Sequence, residues 1–214
     1  MRSRFDEQLA QLNREMIEMG AQCEEVIALA SKALTEADMK LAAKVAPLSA
    51  DIDRKEREIE ALCLRLLLQQ QPAARALRQI SAAPKMITDL ERIGDQAEEI
   101  ADIIGFIDGH NPEDYVSLTE MAKAAIHMVT ESIDAYVKHD TILAEKVVDE
   151  DDIVDEYFLQ VKSKLIAKIA KDPDDGEYAL DLLMIAKYFE RIGDHAVNIA
   201  EWVIFSVTGV HRGE

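Results

Sequence analysis

The chain has 214 residues, 42 of them Asp or Glu and 24 Lys or Arg, which gives a formal net charge of −18 at pH 7. This excess of acids argues against nucleic acid or an anionic lipid surface as a partner and favours cations or basic protein surfaces. Apolar residues make up 49% of the chain. They never form a run near the roughly eighteen residues that a membrane-spanning helix needs, so direct insertion into a membrane is not expected.

Three long helices are predicted in the first half of the chain from apolar residues that recur at helical spacing. They extend over Leu9–Leu34, Ile52–Pro72 and Ala73–Ile104. Between the first two, Asp38 can cap the segment that follows, and Pro47 should break or kink that segment.

The second half repeats this order after a turn-rich linker, Gly105–Pro112. No stretch is typical of a strand, and short loops between long amphipathic helices make neighbouring helices antiparallel. We therefore predict an all-α chain of two tandem antiparallel three-helix bundles, at residues 1–107 and 113–214. The helices of the second bundle are expected at about 114–138, 141–171 and 177–207.

The cysteines and the N-terminus indicate the cellular location. Cys23 and Cys63 do not form a Cys-x-x-Cys pair and lie on apolar helical faces, so both are expected to be buried free thiols. The first residues lack the apolar core of a signal peptide. A cytoplasmic protein is expected, with any association with the membrane made through a partner.

The pentapeptide Glu-Arg-Ile-Gly-Asp occurs twice, at Glu91–Asp95 and at Glu190–Asp194. The two copies are 99 positions apart, and the upstream match of Asp53 with Asp155 has an offset of 102. Solenoid repeats have periods of about 20–50 residues. The longer period here indicates duplication of a whole helical unit.

Each pentapeptide places a Glu and an Asp one helical turn apart, with Cβ atoms about 5–6 Å from each other. Arg92 lies about 100° further round the helix, which predicts incomplete neutralisation of these acids. The outward stripe of the first copy consists of Glu91, Asp95, Glu98 and Asp102, and that of the second copy of Glu190, Asp194 and Glu201.

The middle helices contribute further acids. Asp151 and Asp155 are four residues apart, and the matching positions of the first half are Ser49 and Asp53. Carboxylates on facing helices suit hard or borderline divalent cations such as Mg, Ca, Mn or Fe. For a single stripe the alternative is an ordinary solvated face, but the duplication of the motif favours a metal site.

Two matched glycines, Gly94 and Gly193, lie inside these helical patterns. Glycine inside a helix costs about 1 kcal/mol relative to alanine. Their presence at equivalent positions therefore predicts a close approach of another backbone.

These residues resemble the PhoU family of bacterial phosphate-signalling proteins. The resemblance covers essentially the whole chain and implies two three-helix bundles related by an internal pseudo-twofold, with Glu/Asp-x-x-x-Asp motifs that bind multinuclear metal clusters. Besides the pentapeptides it is carried by Ala97, Ile100, His195, Asn198, Ile199, Glu201, Trp202, Gln71, Pro72, Met16, Met19 and Gly20.

Carried over by position, the family motif falls in full on the second half, whereas in the first half Ser49 stands where an acid would. The cations that the resemblance and the carboxylates imply are Fe, Mn, Mg, Zn or Ca. The candidate ligands are Glu91, Asp95, Glu98, Asp102, Asp53, Glu190, Asp194, Glu201, Asp151 and Asp155.

The resemblance also implies a role. Similar proteins restrain phosphate uptake and repress the phosphate-starvation response. They link the nucleotide-binding subunit of a phosphate ABC transporter to a membrane sensor histidine kinase. A homodimer and peripheral association with the inner membrane through these partners are expected.

Two other classes of protein fit the sequence less well. A metal-dependent all-α enzyme, such as a nucleotide pyrophosphatase, would need closely paired acidic motifs that are absent here, and there is no phosphate loop and no Glu-x-x-His motif. A metal-free helical adaptor leaves the paired acids and glycines unexplained. The histidines show no ligand spacing, although His195 adjoins Asp194.

Overall fold

The computed structural model describes residues 4–69, 74–107 and 115–210. Within these ranges the protein is all-helical, as predicted. The short helix α2 and a 3₁₀ turn at Pro173–Asp175 were not predicted. The helices are α1 (Arg4–Glu36), α2 (Met39–Ala42), α3 (Val45–Gln69), α4 (Ala74–Ile104), α5 (Val116–Lys138), α6 (Thr141–Lys171) and α7 (Gly176–Thr208).

The first helix of each half ends in the same way. Ala37 and His139 have positive φ angles of 50° and 55°, and they are the only non-glycine residues with a positive φ in the described part of the chain. The next residues, Asp38 and Asp140, then cap α2 and α6: each carboxylate accepts hydrogen bonds from the backbone N–H groups two and three residues later. This confirms Asp38 as a cap.

Pro47 lies in the first turn of α3, and the break between α2 and α3 comes just before it. The first turn of a helix tolerates proline because its N–H groups have no partner within the helix. The predicted break is therefore present, displaced towards the N-terminus.

The first bundle consists of α1, α3 and α4, and the second of α5, α6 and α7. Their buried residues form one continuous core, because α4 packs against α7 and α1 against α5. Cys23 and Cys63 lie in this core as free thiols, as predicted. The predicted boundary between the bundles, residues 108–112, lies outside the described ranges, so the limits of the two units stay a prediction.

Hydrogen bonds across the α4–α7 contact follow the internal repeat. Tyr188 donates to the carboxylate of Glu99 over 3.3 Å, and Asn198 donates to that of Asp89 over 3.1 Å. With the offset of 99, Asp89 corresponds to Tyr188 and Glu99 corresponds to Asn198. The two bonds are therefore counterparts under the pseudo-twofold that relates the halves.

Gly20 sets the distance between α1 and α5. A Cβ atom at this position would lie 2.9 Å from Cγ1 of Ile133, closer than real side chains pack. The two helices meet here because residue 20 has no side chain.

We expect Gly20→Ala to destabilise the protein by about 1 kcal/mol in urea unfolding, because overpacking of about 1–3 kcal/mol outweighs the gain in helix propensity. Gly176→Ala is the control, since a Cβ there would meet nothing within 4 Å. It should leave stability unchanged or raise it. Equal or greater stability of the Gly20 variant would contradict the assigned contact.

Two carboxylate clusters as candidate metal sites

Both helical glycines are closely approached, but by side chains of the neighbouring helix and not by its backbone as predicted. A Cβ on Gly94 of α4 would lie 3.2 Å from Cδ1 of Ile52 on α3, and one on Gly193 of α7 would lie 3.1 Å from Oδ1 of Asp151 on α6. Each pentapeptide is thereby held against the middle helix of its own bundle. The acids of both helices meet at these two contacts.

The first cluster consists of Asp53 on α3 with Glu91 and Asp95 on α4. One carboxylate oxygen from each residue lies within 4.8 Å of the others. Oδ1 of Asp53 is buried and has no hydrogen-bond partner among the described residues. Burial and the neighbouring Asp95 raise the pKa of Glu91 above its usual value, against the opposing effect of Arg92.

The second cluster consists of Asp151 and Asp155 on α6 with Glu190 and Asp194 on α7. Its carboxylates are more widely spaced: of these two clusters, only the first has one oxygen from each of three carboxylates within 4.8 Å of one another. Desolvation, followed by repulsion from Asp155 and Asp194, raises the pKa of Asp151 to about 6. Desolvation and the adjacent Glu190 raise the pKa of Asp194 as well. Burial is the larger cause of both shifts, and repulsion from the neighbouring carboxylates adds to it.

Both clusters have the donor chemistry that a hard cation requires. They offer carboxylate oxygens, which Mg²⁺, Ca²⁺, Mn²⁺ and Fe favour. Oδ1 of Asp151, like Oδ1 of Asp53, is buried without a hydrogen-bond partner among the described residues. A buried and unpaired carboxylate oxygen is costly, and a cation would satisfy both atoms. The first cluster therefore fits a bound metal as its side chains are placed, and the second has suitable donors at a wider spacing.

Basic side chains partly neutralise each cluster. Arg92 lies 3.0 Å from Asp95 and 3.4 Å from Glu91, so its long side chain reaches further round α4 than its position on the helix indicates. In the second cluster, Lys187 contacts the carboxylate of Glu190. Burial, together with the neighbouring carboxylates, still holds the pKa values of Glu91, Asp151 and Asp194 above their usual values.

The two clusters differ at one equivalent position. Ser49, which is almost fully buried, takes the place of Asp151, as the sequence comparison indicated. The Ser49 Oγ would lie 3.5 Å from a Cβ on Gly94, so the side chain faces the same contact. The first cluster thus has three carboxylates, and the second has four.

Three of the candidate ligands do not join either cluster. Glu98 and Asp102 continue the stripe along α4 and line an open groove of about 400 Å³ together with Arg92, Asp95 and Glu99. Glu201 on α7 is half-buried and makes no described contact with the second cluster. Each acidic stripe is longer than the contact between its helix and the middle helix of the bundle. Only the turn around the glycine lies opposite acids of the middle helix, so the remaining acids of the stripe stay outside the cluster.

One further cluster was missed by sequence reasoning. Nε2 of His127 lies 3.4 Å from Glu131 on α5 and 3.6 Å from Glu150 on α6. The spacing of four residues between His127 and Glu131 was the available signal. Lys146 already pairs with both glutamates, at 2.7 and 3.2 Å, so this group is balanced by a lysine.

The structure assigns His195 to the contact between the two bundles. Its Nδ1 lies 2.9 Å from Oδ1 of Asp89 on α4, next to the hydrogen bond from Asn198. Although His195 follows Asp194 in sequence, its side chain faces the other bundle and so links the second pentapeptide to the first half.

None of the described helices is long and apolar enough to span a membrane. Both halves match the family model described as PhoU domain, at residues 16–104 and 118–203.

Known proteins align with nearly the whole length of this chain. The phosphate-specific transport system accessory protein PhoU homolog of Pseudomonas aeruginosa is 35% identical over 207 residues, which cover 96% of this chain and 86% of that protein. The homolog of Clostridium acetobutylicum is 33% identical over 207 residues, with 96% and 94% covered. These names describe an accessory protein and not an enzyme, in agreement with the prediction.

Solved structures show the same fold. The crystal structure of PhoU from Pseudomonas aeruginosa superimposes with a TM-score of 0.91 at 34% identity, covering 97% of this chain and all of the other. The phosphate transport system regulatory protein PhoU from Streptococcus pneumoniae gives 0.90 at 25% identity, covering 99% and 100%.

The raised pKa of Asp151 predicts a pH dependence of stability in metal-free protein. The unfolded carboxyl titrates near 3.9, so between about pH 4 and the folded value of about 6 the native state binds more protons. The free energy of unfolding should therefore fall as pH rises through this window. We expect a loss of about 1 kcal/mol after allowance for solvent screening of this half-exposed group.

In urea unfolding at pH 4 to 7 with chelator, Asp151→Asn should remove most of this loss. Glu145→Gln, an exposed acid on the same helix, should leave it unchanged. Identical slopes for the parent and Asp151→Asn would show that Asp151 does not titrate in this range.

Proposed function

Because the chain belongs to the PhoU family, we propose that it is a metal-binding regulatory adaptor of phosphate homeostasis. In this role it negatively regulates phosphate uptake and the phosphate-starvation response. It links a phosphate ABC transporter, through the nucleotide-binding subunit, to a membrane sensor histidine kinase. The observation that carries the proposal is the match of both halves to the family model, together with relatives named as accessory proteins of phosphate-specific transport.

The metal-binding part of the proposal is supported by the two carboxylate clusters. Asp53, Glu91 and Asp95 would hold a cation at the first, and Asp151, Asp155, Glu190 and Asp194 at the second. A bound cation would supply positive charge that offsets the repulsion among these acids. The second cluster has one more carboxylate, but its oxygens would have to move closer together to share a cation, because only the first cluster has three within 4.8 Å of one another.

The chain's own residues position the cluster ligands. The absence of a side chain at Gly193 brings Asp151 against α7, and His195 and Asn198 fix the same turn of α7 to Asp89 on α4. A change of charge at the second cluster is therefore next to the contact between the two bundles. We propose that binding of a metal at the second cluster alters the contact between α4 and α7.

The expected location is the cytoplasm, with peripheral attachment to the inner membrane through the transporter or the kinase. A homodimer is part of the proposal, and sedimentation of the purified protein tests it. A metal-free adaptor remains the competing function, because Arg92 and Lys187 already compensate part of the negative charge.

Melting with and without metal separates these two functions. Without metal, Glu190→Gln/Asp194→Asn should be as stable as the parent to within about 0.5 kcal/mol, because repulsion is relieved while side-chain size is kept. With Mn²⁺ or Mg²⁺ at a hundredfold excess over Kd, the parent should gain about 2.7 kcal/mol per site. The variant should lose the gain of the second cluster, and Glu91→Gln/Asp95→Asn only that of the first.

The matched control is Glu145→Gln/Asp149→Asn. These two exposed acids on α6 have the same spacing and the same charge but lie outside both clusters. The control should respond to metal like the parent. If all four proteins respond identically, the clusters are solvated surface and the metal-free adaptor is the better assignment.

The regulatory role is tested in the source organism. Deleting the gene should raise phosphate uptake and switch on starvation-induced genes in phosphate-rich medium, and the wild-type gene should restore repression. A variant lacking the second cluster should restore it only in part if metal is regulatory. Unchanged uptake in the deletion strain would contradict the proposed role, whatever the metal measurements show.

A further inference from the structure

A long groove follows the exposed side of α4 beside the first cluster. It begins as the open groove of about 400 Å³ that contains Glu98 and Asp102. The same two acids line a second cavity of about 170 Å³, which shares Met39 of α2 with a third cavity of about 190 Å³. The three form one continuous depression, here called the α2–α4 groove. From Arg92 to Ile104 it follows α4 for about 18 Å.

The two sides of the α2–α4 groove differ in chemistry. Its acids all belong to α4 and are Asp95, Glu98, Glu99 and Asp102. The lining from α2 to the first turn of α3 is apolar and consists of Met39, Ala42, Ala43 and Ala46. Met39 is 52% exposed, and the short alanine side chains leave room above them. The groove therefore presents carboxylates on one side and apolar surface on the other.

The charges of the α2–α4 groove do not balance. Among the described residues that line it are four carboxylates and one cation, Arg92. Arg92 is already paired with Asp95 at 3.0 Å. Lys40 and Lys44 on the side of α2 lie outside the lining. If both were counted, together with Asp38 beside them, five acids would still stand against three cations.

Two of the acids are available to a ligand. Neither Glu98 nor Asp102 forms an ion pair or a side-chain hydrogen bond with any described residue, and neither belongs to the first cluster. They are four residues apart, about 6 Å along the helix axis. Basic side chains that are three or four residues apart on a partner helix have a similar spacing.

The internal repeat shows that the fold does not require this arrangement. With the offset of 99, the position of Glu98 is occupied by Val197, and with the offset of 102 that of Ala43 is occupied by Glu145. An acid is thus replaced by an apolar residue on one side, and an apolar residue by an acid on the other. The second bundle forms the same three-helix packing, so packing alone does not explain the α2–α4 groove.

We propose that the α2–α4 groove is the docking site for a basic amphipathic helix of a partner protein. Lys or Arg side chains of this helix pair with Glu98 and Asp102, and its apolar residues cover Met39 and the alanines, as helices bound in grooves do. A helix of about twelve residues matches the length of about 18 Å. The net charge of −18 favours encounter with a basic segment. The inference deepens the adaptor role proposed above and rests on it, but it does not depend on a bound metal.

The test begins with selection of random 16-residue peptides displayed on phage against the intact protein, at 150 mM salt with chelator. We expect enriched sequences to combine Lys or Arg with Leu, Ile, Met or Phe at helical spacing. The binding of one enriched peptide is then measured by fluorescence anisotropy. Glu98→Lys/Asp102→Lys should weaken it at least tenfold, because two attractive charges become repulsive.

The matched control is Glu145→Lys/Asp149→Lys. These exposed acids on α6 have the same spacing, and the control changes the net charge of the chain by the same amount. It should leave the affinity within twofold of the parent, and circular dichroism checks that both variants are folded. Equal loss in both variants would mean that net charge and not the groove controls binding, and would overturn the proposal.

The apolar side of the groove has its own variant. Met39→Ser should weaken the peptide at least threefold, whereas Ile166→Ser, at a side chain of α6 that is 59% exposed, should have no effect. If Met39→Ser binds as tightly as the parent, the peptide does not lie in the groove and the proposal is wrong.

Three other outcomes would also overturn the proposal. The selection could enrich no peptide, or only neutral or acidic ones. Mn²⁺ could displace the peptide from Glu91→Gln/Asp95→Asn, in which the first cluster is disabled, and Glu98 and Asp102 would then be metal ligands. Sedimentation could show that Glu98→Lys/Asp102→Lys dissociates a dimer, which would make a second copy of the chain the occupant. None of these measurements depends on phosphate uptake, so this inference and the proposed regulatory role fail separately.

Discussion

Helix α7 approaches α6 closely enough to gather four carboxylates because residue 193 has no side chain. An added Cβ would lie 3.1 Å from Oδ1 of Asp151, and the helices or the carboxylate would have to give way. The same constraint applies at Gly94 in the first bundle. A glycine inside a helix costs about 1 kcal/mol. Here each of the two glycines permits the close helix contact at which one cluster forms.

This constraint brings negative charges together at contacts between helices that are partly buried. Oδ1 of Asp53 and Oδ1 of Asp151 are buried without described partners, and the pKa of Asp151 is raised to about 6. The basic residues Arg92 and Lys187 reduce the repulsion without removing it. Each cluster thus places mutually repelling carboxylates next to the apolar core. Such an arrangement favours binding of a cation, which would relieve the repulsion.

Much of this architecture was predictable from sequence because it depends on periodic signals. Apolar spacing located the six long helices, the pentapeptide located both clusters, and Gly94 and Gly193 indicated close approach. The ion pairs of long side chains could not be predicted from sequence. The partners of Arg92, Lys187 and His127 depend on the side-chain rotamer and on which helix packs opposite. Glu98, Asp102 and Glu201 lie outside both clusters, and one helix alone does not reveal where its contact with the next helix ends.

The paired hydrogen bonds across α4 and α7 show what covalent duplication permits. In a dimer of identical chains, one substitution changes both symmetry-related contacts at once. Here one contact is made by Tyr188 and Glu99, while its counterpart is made by Asp89 and Asn198. Because both halves belong to one chain, a substitution in one contact leaves its counterpart unchanged. An ancestral symmetric interface could in this way become two specialised surfaces within a single molecule.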